Sequence, residues 1–178
     1  MGALDGKRVA ILATDGVEQV ELTGPRDVVT EAGASAEIVS LAPGEIQAMN
    51  HDIEPADRFE VDRSASEVSA DDYDALIMPG GTVNADRLRM DEDVRRFVTG
   101  MFDTGKPVAA ICHAPWTLVE AGLVRGRTLT SYPSLRTDIR NAGGNAVDEE
   151  VVTDGTLITS RNPGDLPAFC ATLVKAFA

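Results

Sequence analysis

Lysine is scarce in this chain: Lys7, Lys106 and Lys175 are the only ones, and the net charge is −13. A surface so acidic repels phosphate backbones and anionic lipid, so neither nucleic acid nor a membrane surface is an expected partner. Histidine is scarcer still, with only His51 and His113, and no pattern supplies three or four metal ligands at usable spacing. A zinc enzyme is not expected, and no metal or cofactor is. Two cysteines, Cys112 and Cys170, read as free thiols rather than a structural bridge. Long apolar runs are also missing. The stretch from Val108 to Cys112 falls far short of the roughly 18 residues of a membrane span. The first residues carry too few apolar side chains for a signal peptide, so a cytoplasmic location is expected.

What is present is an ordinary globular composition, 43% hydrophobic and 25% charged, in 178 residues. One domain over 1–178 of that length buries roughly two-thirds of its unfolded surface. Short apolar runs alternate with amphipathic stretches, the pattern of an α/β chain with a parallel sheet. Residues 8–13, 36–41, 74–78 and 107–111 read as buried strands, the last so apolar that it is placed centrally. Residues 18–32, 91–104, 115–121, 135–142 and 163–177 read as helices. Gly24-Pro25 is a bend signal within the first, and Gly33, Gly105 and Gly122 are stops. Asp154-Gly155 between 151–152 and 156–159 signals a hairpin. Residues 43–72 read as short strands and turns over one sheet edge.

Ligands of open parallel sheets bind beyond the carboxyl ends of the strands. Three such ends carry unusual residues: 15–18, 79–81 and Cys112-His113. Cys112 follows the most apolar strand and precedes a helix whose free N–H groups and dipole favour a thiolate. The competing reading, a small core residue, fits Cys170, which sits among apolar helical neighbours. Gly80 and Gly81 let the backbone approach a ligand, either as an oxyanion cradle or as a tight turn. Glu18 opens the first helix. If it faces Cys112, burial would keep it neutral and able to donate to a thiolate. Adjacent residues in a sharp turn diverge, so the His113 ring is not required to touch the sulfur. It would position substrate or pair with a carboxylate.

The motifs VEQVEL at 17–22, DYDALIMPGG at 72–81, GKPVAAICHAPW at 105–116, LTSYPSL at 129–135 and NAG at 141–143 carry a resemblance to the ThiJ/PfpI superfamily. It is nearest the PfpI-type intracellular protease group and akin to the protein deglycases, and it runs through nearly the whole chain. The resemblance implies a flavodoxin-like three-layer α/β sandwich with a mostly parallel sheet, the fold shared with class I glutamine amidotransferases. No histidine follows His113, which excludes amidotransferase chemistry. It further implies Cys112 as nucleophile, Glu18 as the acid contacting it, and Gly80 and Gly81 as oxyanion glycines. His113 would pair with an acid of a neighbouring subunit, for which Asp86 is the counterpart. Trp116 and Tyr132 fall where the pocket mouth is lined, with His51 in the same region. A homo-oligomer, dimer or hexamer, is implied.

Three activities follow as expectations. The leading one is cysteine-dependent chemistry on reactive carbonyls, of glyoxalase or deglycase type, in a stress-response setting. The second is a cysteine peptidase using Cys112, His113 and Asp86 in trans. The third is a non-enzymatic redox sensor or chaperone built on an exposed, low-pKa Cys112.

Overall fold

Alternation of side chains along a strand buries both faces of a sheet when helices cover each side. The computed structural model, which describes residues 2–178, shows this in β1 (Arg8–Leu12). Val9 and Ile11 point into one apolar cluster, Ala10 and Leu12 into another. Helix α1 (Gln19–Glu31) follows, continuous through Pro25, and leads to β2 (Ser35–Ser40). The hairpin β3 (Glu45–Asn50) and β4 (Glu54–Glu60) comes next, then the short β5 (Arg63–Ser64) and β6 (Ala75–Met78). Helices α2 (Thr82–Met90) and α3 (Glu92–Asp103) precede β7 (Val108–Ile111) and α4 (Pro115–Glu120). The remainder is β8 (Thr128–Leu129), α5 (Arg136–Asn141), β9 (Asn145–Ala146), β10 (Val151–Asp154), β11 (Leu157–Ser160) and α6 (Leu166–Phe177).

Seven strands form the main sheet in the order β10-β11-β7-β6-β1-β2-β5. All neighbours are parallel except β10 and β11, which pair antiparallel as the Asp154-Gly155 signal requires. This is the flavodoxin-like sandwich: α1 and α6 lie on one face, α2 to α5 on the other. Strand β7 is interior, between β6 and β11, and β6 occupies the middle. Helix α3 begins where the Asp91 side chain accepts from the Val94 N–H at 2.9 Å. It buries Val94, Phe97, Val98 and Met101 at the spacing read from the sequence.

Two features differ from the sequence reading. Helix α2 went unread because it buries only Asn84, Ala85 and Leu88, too sparse an apolar stripe to stand out. The segment 43–72 does more than lie over an edge. While β5 extends the sheet beside β2, the β3–β4 hairpin leans on the segment after β1: Gly16 N–H donates to the Gln47 carbonyl, and Met49 N–H to that of Val17. The hairpin tip, His51 and Asp52, is thereby carried to the carboxyl ends of the strands. Among the described residues no helix is long and apolar enough to cross a membrane.

Candidate active site

The turn after β7 is strained. Cys112 adopts φ +64°, a left-handed conformation costly for a side-chain-bearing residue and concentrated at functional sites. The strain aims the side chain across the sheet end toward Gly80 and Gly81, which follow the neighbouring β6 through Pro79. A Cβ built on Gly80 would lie 2.6 Å from Cys112 Cβ, 2.6 Å from Glu21 Oε1 and 2.8 Å from the Ile111 carbonyl oxygen. Only glycine fits there. The cavity in front of the sulfur has a volume of about 230 Å³, and Glu18, Glu21, Asp52, His113 and Tyr132 contribute to its wall.

The acid at the sulfur is Glu21. Its side chain is fully buried, Oε1 accepts from the Gly80 N–H at 3.0 Å, and the carboxyl faces the Cys112 thiol. Oε2 meets no nitrogen or oxygen donor among the described residues. Burial, reinforced by the charge of Glu18, raises the Glu21 pKa to about 8, so the side chain is a neutral acid at pH 7. Glu18, the residue expected in this place, is the N-cap of α1 with extended backbone. Its carboxylate turns to the hairpin tip, accepting from His51 N–H at 2.9 Å and Asp52 N–H at 3.2 Å. It lines the cavity and anchors the hairpin tip. Position 21 has a legible signal after all: Pro25 and Val29 are one and two turns further along α1, both buried. Glu21 is therefore a carboxyl on the core stripe of a helix.

The thiol does not match the expected exposed, low-pKa group. Cys112 is 6% exposed, and burial, with the negative charge of Glu21 second, pushes its pKa upward. Backbone N–H groups of Gly81 and His113 point at the sulfur and oppose that rise. A neutral Glu21 removes the second cause and leaves those two donors facing an incipient thiolate. Gly80 N–H is not free for an oxyanion, since Glu21 occupies it. Gly81 and His113 supply the remaining backbone donors.

The His113 ring does not diverge from its neighbour. Nδ1 is 3.1 Å from Cys112 Sγ, and Nε2 is 3.3 Å from Thr82 Oγ1. The ring stacks on Tyr132 at 4.5 Å between centroids and meets Trp116 edge-on at 5.5 Å. Desolvation lowers its pKa, partly countered by Asp52. Tyr132 lines the cavity and is 40% exposed. Trp116 instead stands behind His113, its indole N–H donating to Asp138 at 2.9 Å. Asp86 is exposed on α2 and makes no contact with His113 within the chain. Cys170 is buried in α6 among apolar neighbours, where burial alone raises its pKa to about 11.

A family model described as DJ-1/PfpI matches residues 7–176. The chain belongs to the DJ-1/PfpI family. A Pyrococcus abyssi protein named as a deglycase is 42% identical over 168 residues, covering 94% of this chain and 98% of that one. A Bacillus subtilis protein named "Putative cysteine protease YraA" is 39% identical over 163 residues, covering 92% and 94%. Among solved structures, a two-domain Anabaena variabilis protein with DJ-1/ThiJ/PfpI-like and ferritin-like domains superposes with a TM-score of 0.89. Its identity is 34%, over 95% of this chain and 47% of that longer one. The DJ-1/PfpI fold thus brings Glu21 from the first turn of α1 to Cys112 and His113 in the turn after β7, at the sheet end.

Proposed function

We propose that the protein is a cysteine-dependent enzyme acting on small reactive carbonyls such as methylglyoxal, of the glutathione-independent glyoxalase or deglycase type. The observation that carries this reading is the neutral Glu21 acid facing the Cys112 thiol, with Gly81 and His113 N–H groups at the sulfur. A cavity of about 230 Å³ suits a three-carbon dicarbonyl. It lies below the roughly 300–1,000 Å³ of sites for drug-sized ligands. Relatives named as deglycases support the same direction.

In this reading the sulfur adds to the aldehyde carbon as the thiol proton passes to a neighbouring base. Glu21 gives its proton to the carbonyl oxygen, which the backbone donors hold, and a hemithioacetal forms. The Glu21 carboxylate then removes the proton from C1, giving an enediolate, and delivers it to C2, while the C1 hydroxyl proton passes to the C2 oxygen as the thioester forms. Water adds its hydroxyl to the acyl carbon and its remaining proton to Glu21, and lactic acid leaves as the base returns its proton to sulfur. One buried acid serves both carbon transfers.

A peptidase reading draws on His113 Nδ1 at 3.1 Å from the sulfur and on the name of the Bacillus subtilis relative. A sensor reading requires an accessible thiolate, which the burial of Cys112 opposes. Exposed Ile53 and Val83, adjoining Asp52 and Thr82 at the rim, support an assembly of several copies. The test is purified protein with methylglyoxal, assayed for D-lactate beside Cys112→Ala and Glu21→Gln. Lactate no higher than with Cys112→Ala would sink the carbonyl reading.

A further inference from the structure

Two residues, Thr82 and Asp52, stand in line behind His113. Asp52 Oδ1 accepts from the Thr82 N–H at 2.8 Å, and Oδ2 lies 2.9 Å from Thr82 Oγ1. A carboxylate can only accept, so the single Thr82 hydroxyl proton points at Asp52. The lone pairs of Oγ1 then face His113 Nε2 at 3.3 Å, and Nε2 must carry the ring proton to make that contact. A neutral ring has one N–H. Nδ1 is left bare, 3.1 Å from Cys112 Sγ.

We propose that Thr82 and Asp52 are positioning residues that lock His113 in the Nε2–H tautomer, so that Nδ1 is the base that takes the Cys112 proton. The S–H bond breaks as the N–H bond forms, giving thiolate and imidazolium. The proton returns to sulfur when the product leaves. Neither positioning residue touches the reacting atoms. Desolvation of the ring keeps Nδ1 unprotonated and available at neutral pH. The hairpin is part of the device, because Glu18 holds the His51 and Asp52 N–H groups and so fixes where Asp52 sits. All of these contacts lie within one chain.

The inference rests on the reading of Cys112 as the nucleophile, and it is tested without any carbonyl substrate. The chain has only two histidines, so ¹⁵N NMR distinguishes His113 from His51 directly. The bare nitrogen of wild-type His113 is expected to be Nδ1; a bare Nε2 overturns the proposal. Asp52→Asn provides a sharper check. The Thr82 N–H demands the amide oxygen, so the amide NH₂ faces Oγ1 and turns the hydroxyl toward Nε2. The ring proton should move to Nδ1; an unchanged tautomer overturns the proposal.

The kinetic readout is iodoacetamide alkylation at pH 7, followed by mass spectrometry at the Cys112 peptide. Thr82→Val, near-isosteric, is expected to slow labelling at least about tenfold. Thr82→Ser, which keeps the hydroxyl, should return it to within about twofold. A wild-type rate in Thr82→Val, or equal losses in both variants, contradicts the relay. If tautomer and labelling behave as stated while no lactate forms, the carbonyl reading fails alone. Lactate formation with an unaltered labelling rate in Thr82→Val fails the relay alone.

Discussion

Gly80 N–H donates to Glu21 Oε1 at 3.0 Å, so a strand-end glycine that could have cradled an oxyanion instead fixes a buried carboxyl against Cys112. This one bond explains why Glu21 is tolerated with no exposed surface. Its neutral form keeps an acceptor satisfied and presents an acid to the sulfur.

Stability should report the protonation of Glu21. Its pKa rises from 4.5 to about 8 on folding, so between those values the folded state binds more protons than the unfolded one. Stability contributed by the protonated form is complete below pH 4.5 and is lost as pH rises toward 8, by up to about 1.4 kcal/mol per unit. Urea unfolding of wild type from pH 5 to 8.5 should show this decline, and Glu21→Gln should flatten it. The same variant is expected to lose about 10²- to 10⁴-fold in carbonyl turnover, since an amide shuttles no proton.

Gly80→Ala and Gly105→Ala separate crowding from backbone strain. At Gly80 the new Cβ meets Cys112, Glu21 and a carbonyl oxygen at under 3 Å, and a loss of about 1–3 kcal/mol is expected with much reduced turnover. Gly105 has φ +69° and open space around it, so only the left-handed cost of roughly 1–2 kcal/mol applies, and activity survives. Denaturant midpoints and the lactate assay on both variants check the contrast.

Thiol labelling should be confined to Cys112. Burial raises the pKa of both thiols, so access and a base decide: Cys112 lines the cavity with His113 Nδ1 at 3.1 Å, whereas Cys170 is packed among apolar neighbours in α6. Native protein at pH 7.5 is expected to label at Cys112 and hardly at Cys170, with Cys170→Ala leaving turnover within about twofold. Preferential labelling of Cys170 would contradict the assignment.

Asp86 tests the expectation of an acid supplied by another copy. It is exposed and away from His113 in its own chain, where Thr82, held by Asp52, already meets the ring. Asp86→Ala is expected to leave both Cys112 alkylation and carbonyl turnover within about twofold at an unchanged solution mass. A large loss of activity without dissociation would favour the peptidase arrangement in trans.

Cys112, His113 and the two glycines were legible because each lies just past the end of an apolar strand, and strand ends of a parallel sheet converge by construction. The acid was misplaced by one helical turn. Glu18 and Glu21 both stand at the start of α1, and the decision rests on whether the helix has begun. At residue 18 the backbone is still extended and the side chain turns to the hairpin, whereas residue 21 is in the first turn and faces the sheet. The turn geometry of Cys112 also escaped. Its φ of +64° brings the next side chain back to the sulfur, which no spacing rule encodes.

By itself the sequence determined the layered α/β fold, the family motifs, the place of Cys112 at a strand end and the apolar faces that assemble the sheet. These depend on local periodicity and on residues adjacent in the chain. Tertiary structure alone decided the partners of the sulfur: Glu21 rather than Glu18, Gly81 rather than Gly80, and the line from Asp52 through Thr82 to His113. That line joins residues 30 and 31 positions apart across a hairpin tip, a helix start and a strand end. Its hydrogen bonds depend on distances of a few tenths of an ångström, which packing sets and local sequence pattern does not.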